Sequence, residues 1–417
     1  MTDRHPLLVH ADLRRYLTAR LTSTLAQNMM VVVIGWQVYD LARRTMGTRE
    51  AAFQLGLVGL VQFLPLLLLS LVVGWTADRL DRRWIARAAI TLQIGCATML
   101  ALSNLYGVLS LGMLFAVAGL LGVARAFAVP SLQALAPNLV PADVLPRAIA
   151  LSSIAWQTGA IFGPAAGGYL YAIGNATPYI VTATLFVIAL GGLMLIGPVP
   201  RSAITGKSNP WAQMVEGLRY VRHNRLVLGA ISLDLFAVLL GGATAMLPIY
   251  ARDILQVGPE GLGHLRAAPA VGAAATALWL SFRPLKHNVG PKMLAGVILF
   301  GAATILFGLS RSMPLSLFCL MLLGVGDMIS VFVRQSLIQI YTPDNMRGRV
   351  GAVSSLFISG SNELGEAESG LLAAVAGPVA AVVAGGTGAI LVTLLWARLF
   401  PELRNARTFD PPQTLQE

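Results

Sequence analysis

The sequence predicts an all-α membrane protein with twelve transmembrane helices in two pseudo-symmetric six-helix bundles. Three observations predict this fold class. The chain of 417 residues is 56% hydrophobic and only 12% charged, whereas soluble proteins carry about 25% charged residues. Its apolar stretches have about the twenty residues that a helix needs to cross a bilayer. In addition, two segments of the chain resemble each other at a fixed offset.

Twelve stretches of the chain are long and apolar enough to be predicted as spans. These runs are about twice the length of a barrel strand and do not alternate with period two, which favours helices. The predicted spans lie near residues 17–40, 53–73, 85–105, 109–134, 148–172, 177–197, 227–250, 262–282, 293–310, 314–340, 350–374 and 378–398.

The positions of the basic residues predict how the spans are oriented. If both termini are cytoplasmic, 22 of the 30 lysines and arginines fall in inside segments and 6 in outside loops. Loops rich in lysine and arginine stay in the cytoplasm. The sequence therefore predicts a multi-pass protein with both termini inside. The net charge of +11 belongs mostly to these short loops, so it does not predict nucleic-acid binding.

An internal repeat divides the chain into halves. The segments 141–153 and 343–355 align without gaps at an offset of 202, with Pro141 opposite Pro343 and Arg147 opposite Arg349. Each segment joins the fourth predicted span of its half to the fifth. The predicted domains are an N-terminal six-helix bundle (1–197), a cytoplasmic linker with an amphipathic helix (198–226), a C-terminal six-helix bundle (227–400) and a cytoplasmic tail (401–417).

The segment GWTADRLDRR (74–83) resembles the loop signature of the major facilitator superfamily, G-x-x-x-D-R-x-G-R-R/K. The matching residues are Gly74, Asp78, Arg79, Arg82 and Arg83. Asp81 replaces the second glycine, and aspartate is among the better-tolerated residues if that position needs a positive φ. The resemblance implies a cytoplasmic loop that latches neighbouring helices. An ordinary positive-inside loop is the alternative interpretation.

A second signature, GAIFGPAAGG (159–168), resembles the motif of antiporters and exporters in that superfamily. Its glycines recur every four residues and form one smooth helix face, which lets another helix approach closely, and its proline can bend the helix. Ordinary small-residue packing is a compatible alternative. The residues of the motif are Gly159, Gly163, Pro164, Gly167 and Gly168.

A finer resemblance covers the segments 234–255, 334–370 and 394–404. They are similar to the enterobactin-exporter-like bacterial branch of the superfamily. This resemblance implies a monomer in the bacterial inner membrane that exports a small organic molecule, a siderophore or an amphipathic drug, by proton-coupled antiport. An importer or facilitator on the same fold and a lipid translocase are the alternatives.

Acidic residues within spans are candidate proton carriers, because ionisable groups in a bilayer are costly and usually functional. The candidates are Asp234, Asp327, Glu363 and Glu366. Glu363 and Glu366 lie on nearby faces of one helix, and neighbouring carboxyl groups that are shielded from water can take up protons near neutral pH. The alternative is that these acids pair with Arg347, Arg349 or backbone groups and stabilise helices.

Arg125 and Asp327 occupy equivalent positions of the repeat. The family resemblance implies that the first, fourth, seventh and tenth spans line a central cavity, so we expect both residues to face it and to pair directly or through substrate. A purely structural pair, or an arginine that snorkels to the membrane surface, is the alternative. Arg334 is a further cavity candidate, because it lies seven residues after Asp327 and forms a polar stripe with it along one face of the tenth predicted span. The other substrate-cavity candidates are Gln27, Asn28, Gln133, Gln335 and Trp156.

The sequence indicates no cofactor and no enzymatic activity. It contains no nucleotide-binding loop of the G-x-x-x-x-G-K-S/T type. Cys96 and Cys319 both lie in apolar runs, where single cysteines are usually packing residues. The predicted partners are therefore a small-molecule substrate, protons and the lipid bilayer.

Overall fold

The structure is a computed structural model that describes residues 10–135, 139–141, 144–197, 210–285 and 287–409. All regular secondary structure in these ranges is helical. The side chains of some residues within the helices lie outside the described part, and these include Gly74, Asp78 and Arg79 of the predicted loop signature.

The described residues form thirteen helices of fourteen residues or more. Apolar sequence in a bilayer must satisfy its backbone hydrogen bonds internally, which a helix does. In chain order they are α1 (Ala11–Ala42), α2 (Thr48–Arg79), α3 (Arg82–Leu105), α4 (Leu111–Leu135), α5 (Leu145–Ile173), α6 (Thr177–Met194), α7 (Pro210–His223), α8 (Arg225–Leu240), α9 (Gly258–Phe282), α10 (Val289–Leu309), α11 (Met313–Tyr341), α12 (Asp344–Ala376) and α13 (Pro378–Leu399). Short helical turns over 243–254 extend α8.

Nine helical segments in the described ranges are long and apolar enough to cross a membrane. They correspond to α2, α3, α4, α6, α8 with its extension, α9, α10, α11 and α13. The helices α1, α5 and α12 have 32, 29 and 33 residues, so they are long enough but more polar. Glu363, Glu366 and Glu368 in α12 illustrate the difference. The full count of twelve spans stays a prediction.

The chain divides into two compact units that do not follow chain order. Unit 1 comprises Met1–Thr45, Val61–Lys207 and Val257–Ala267. Unit 2 comprises Met46–Leu60, Ser208–Gln256 and Ala268–Glu417. The start of α2 thus clusters with unit 2, and the start of α9 clusters with unit 1. The predicted domain boundaries, which follow the repeat, stay a prediction.

In unit 1, α1 packs against α5 and α6, and α3 packs against α4 and α6. Two arginines at the start of α3 bind the end of α6: Arg87 Nη2 donates to the Leu193 carbonyl at 2.8 Å, and Arg83 also donates to backbone carbonyls there. Asp81 has φ −65° and accepts from the Arg83 backbone N–H at 2.9 Å. The residue that replaces the signature glycine is therefore a helix cap and needs no positive φ.

In unit 2, α7 packs against the start of α12. Glu216 pairs with Arg349 at 2.7 Å, the Tyr220 hydroxyl donates to the Tyr341 carbonyl, and Val221 is buried in an apolar cluster with residues of α8, α11 and α12. The sequence predicts an amphipathic helix in this linker. In the structure one face of that helix is covered by other helices of unit 2.

Candidate functional site

The glycines of the exporter-like motif form the contact between α5 and α1 in unit 1. A Cβ atom added to Gly163 would lie 2.8 Å from the Asn28 Cβ atom, and one added to Gly159 would lie 2.8 Å from the Thr24 Cβ atom. Gly167 lies against Met29 in the same way. The spacing of four residues therefore positions this stretch of α1, which also carries Gln27 and Met30.

The end of the same motif packs against the start of α9. A Cβ atom on Gly168 would lie 3.1 Å from the Gly263 Cα atom. One on Gly263 would lie 2.9 Å from the Pro164 carbonyl oxygen. Because side chains larger than hydrogen would push these backbones apart, the motif fixes α5 between α1 and this part of α9.

A small cavity inside unit 1 collects polar side chains from four helices. Gln27 of α1, Gln62 of α2, Gln93 of α3 and Arg125 of α4 line it. The rest of its wall is apolar and consists of Met30, Val31, Ile34, Leu121 and Phe186. Arg125 Nη1 donates a hydrogen bond to Gln62 Oε1 at 3.1 Å. The structure thus brings together two predicted cavity residues, Gln27 and Arg125.

Gln93 is the residue of this cavity that the sequence analysis missed. Its side chain is in effect fully buried, with 2% of the residue exposed. Within the described part of unit 1 it forms no hydrogen bond, although buried amides normally have partners. An amide inside an apolar run is the signal that could have identified Gln93, and Gln62 as well, because the predicted cavity residue Gln27 carries the same signal.

The other predicted cavity residues are not brought to this cavity. Asn28 donates to the Thr24 carbonyl of its own helix at 2.9 Å. Gln133 and Trp156 are exposed in unit 1, and Gln335 is exposed in unit 2.

Unit 2 contains a buried ion pair between α8 and α11. Arg334 Nη1 contacts Asp234 Oδ2, and only 3% of the arginine side chain and 6% of the aspartate side chain are exposed. Arg334 Nε is buried without a hydrogen-bond partner in the described part of the chain. The carboxylate of Asp234 is therefore already neutralised by a fixed cation.

Asp327 lies two helical turns before Arg334 on α11 and has a different environment. It is partly buried, and within unit 2 it forms no ion pair or hydrogen bond with a described residue. Ser330, on the same side of the helix, has a buried hydroxyl that also has no partner among the described residues. The predicted polar stripe of α11 is thus made of one paired cation and an acid without a counter-ion in its unit.

Glu363 and Glu366 are both partly buried on α12. A Cβ atom on Gly59 of α2 would lie 2.9 Å from the Glu366 Cβ atom and 3.2 Å from its Oε2 atom. The carboxyl group of Glu366 therefore lies against the backbone of α2. Arg349, an alternative partner for these acids, pairs with Glu216.

Arg125 belongs to unit 1 and Asp327 to unit 2. The hypothesis that they pair, directly or through substrate, stays a prediction, as do the roles of the loop-signature side chains of Asp78 and Arg79.

The comparisons with known proteins identify the family. Residues 6–413 match the family described as transmembrane secretion effector, a branch of the major facilitator superfamily. The chain belongs to this family. The enterobactin exporter EntS of Escherichia coli O1:K1 is 28% identical over 415 residues, which cover 99% of this chain and 97% of the relative. EntS of Shigella boydii serotype 18 is also 28% identical over 415 residues, with the same coverage.

Solved structures of this superfamily share the fold. A POT family transporter in complex with 5-aminolevulinic acid has a TM-score of 0.73 at 15% identity, covering 94% of this chain and 97% of its own. A bacterial homolog of the human lysosomal transporter Spinster, inward-facing and unoccupied, has a TM-score of 0.71 at 16% identity, covering 96% and 99%. The protein is therefore a multi-pass membrane transporter of the major facilitator type and not an enzyme.

Proposed function

We propose that this transporter exports a small organic molecule, a siderophore or an amphipathic drug, in exchange for protons. It works in the bacterial inner membrane with both termini in the cytoplasm, by alternating access of two six-helix halves. The export direction is supported by the similarity to enterobactin exporters along nearly the whole chain and by the glycine motif of α5.

The observation that carries the coupling is the contrast between the two acids of unit 2. Asp234 is neutralised by Arg334, whereas Asp327 has no counter-ion within its unit. A bare carboxylate inside a membrane protein is costly. A proton relieves this cost, and so does a hydrogen-bond donor or cation of the substrate. A proton and the substrate group cannot both bind the Asp327 carboxylate at once. Binding of one therefore weakens binding of the other, which is the coupling that antiport requires.

Asp327→Asn should abolish substrate-driven proton movement, because the amide cannot exchange a proton with the substrate. Protein in liposomes with an internal pH dye is exposed to catechol siderophores and amphipathic dyes, and we expect at least a tenfold loss of the proton signal. Thermal unfolding should change little.

Glu260→Gln is the matched control, because Glu260 is exposed at the start of α9 and its loss should leave the signal intact. If Asp327→Asn retained proton movement while Glu366→Gln lost it, the carrier would be Glu366 and the assignment to Asp327 would be wrong.

A further inference from the structure

We propose that the small cavity of unit 1 is a subsite that holds one hydrogen-bond-accepting oxygen of the substrate, such as a carbonyl oxygen, through Gln93 and its neighbours. The inference rests on the proposed function, because it names the chemistry of the molecule that is transported. It concerns residues inside one unit and is independent of which acid carries the proton.

Gln93 provides the first argument. Its amide is buried at 2% exposure, faces the cavity and has no hydrogen-bond partner within the described part of unit 1. Buried amides normally have a hydrogen-bond partner, and a group that enters the cavity can be that partner. Gln27, which lines the same cavity, also forms no side-chain hydrogen bond there. Two unpaired amides that meet in one cavity indicate an occupant with a polar atom.

The pair of Arg125 and Gln62 decides which polar atom the occupant offers. Arginine only donates hydrogen bonds, and here its Nη1 atom uses the Oε1 acceptor of Gln62. Gln62 therefore presents its NH2 group as a donor to any further partner. The donor that the pair offers to the cavity is thus the NH2 group of Gln62, and it binds an acceptor.

The residues that line the cavity indicate the charge and the size of the substrate group that can enter it. No carboxylate is among the residues that line it, so nothing in the wall recognises a cation. The apolar side chains around the four polar ones leave room for a single small group. We infer that the end of a substrate that carries one oxygen enters the cavity, while the rest of the substrate lies outside it.

The test measures binding to purified, detergent-solubilised protein without a membrane or a gradient. The probes are 7-hydroxycoumarin and 2-naphthol, which share a hydroxyl group and a two-ring frame, but only the first has a ring carbonyl. Equilibrium dialysis should give the native protein an affinity about tenfold higher for 7-hydroxycoumarin, which corresponds to one added hydrogen bond.

In Gln93→Met, and independently in Gln27→Met, the affinities for 7-hydroxycoumarin and 2-naphthol should differ by no more than about twofold. Two variants from different helices keep the test valid if one of them does not fold, and thermal unfolding checks each. Gln339→Met is the control, because Gln339 is exposed in unit 2 and its loss should leave the preference unchanged.

A native protein without any preference between the probes would overturn the proposal, as would a preference that survives both variants. The cavity would then hold a water molecule only. Because the readout is binding at equilibrium, failure of proton coupling in liposomes leaves this result untouched, and failure of the subsite leaves the proposed export untouched.

Discussion

Asp234→Asn should lower the free energy of unfolding by about 3–5 kcal/mol, which is the usual result of removing one partner of a buried ion pair. The substitution leaves the Arg334 guanidinium, with 3% of its side chain exposed, without a counter-charge. Arginine cannot become neutral by losing its proton. Unfolding of the purified protein by heat or by increasing dodecyl sulfate in mixed micelles measures the effect.

Arg334→Gln should be less harmful, because the aspartate that remains can become neutral by binding a proton. The double variant Asp234→Asn/Arg334→Gln should be more stable than Asp234→Asn alone, since it buries no charge. Arg349→Gln breaks a pair in the same unit whose side chains are 29% and 50% exposed, and it should cost less than about 1 kcal/mol. Equal losses for Asp234→Asn and Arg349→Gln would contradict the burial argument.

Gly324→Ala should destabilise unit 2 by about 1–3 kcal/mol, the usual cost of overpacking. A Cβ atom at Gly324 of α11 would collide with the Pro269 carbonyl oxygen of α9, and one at Gly272 of α9 would collide with the Met321 carbonyl oxygen of α11. The two helices therefore touch through backbone atoms. Asp327 lies one turn from this crossing, so we also expect weaker transport.

Gly351→Ala on α12 is the matched control for this prediction, because a Cβ atom there has no neighbour within 4 Å. Alanine is favoured over glycine in a helix by up to about 1 kcal/mol, so this variant should be as stable as the native protein or slightly more so. Changes of the same sign and size in both variants would show that backbone freedom, and not helix contact, dominates.

The sequence predicts the helices well, because the bilayer imposes a length and a composition that can be read from a single chain. The helix α12 shows where prediction of spans from composition fails. Three glutamates make this helix too polar for the composition that identifies nine spans in the described ranges, although its 33 residues are long enough to cross. The glycine pattern of α5 predicts a close helix contact, but not that α1 is its partner.

The ion pair of Asp234 and Arg334 could not be predicted in the same way. The two residues are one hundred positions apart and do not occupy equivalent positions of the repeat. The repeat places Arg125 opposite Asp327 instead. Only the packing of α8 against α11 brings the charges together, and packing between distant helices has no local signature in the sequence.

The central claim is that protons drive export, and uphill transport in native protein tests it most directly. Liposomes that contain the transporter are equilibrated with a radiolabelled or fluorescent substrate at equal concentration on both sides, and a pH gradient is then imposed. The proposed antiport predicts that the substrate accumulates several-fold on the acidic side, and that a protonophore abolishes the accumulation. If the substrate concentrations on the two sides stayed equal after the pH gradient was imposed, the claim would be contradicted and the protein would be a facilitator on the same fold.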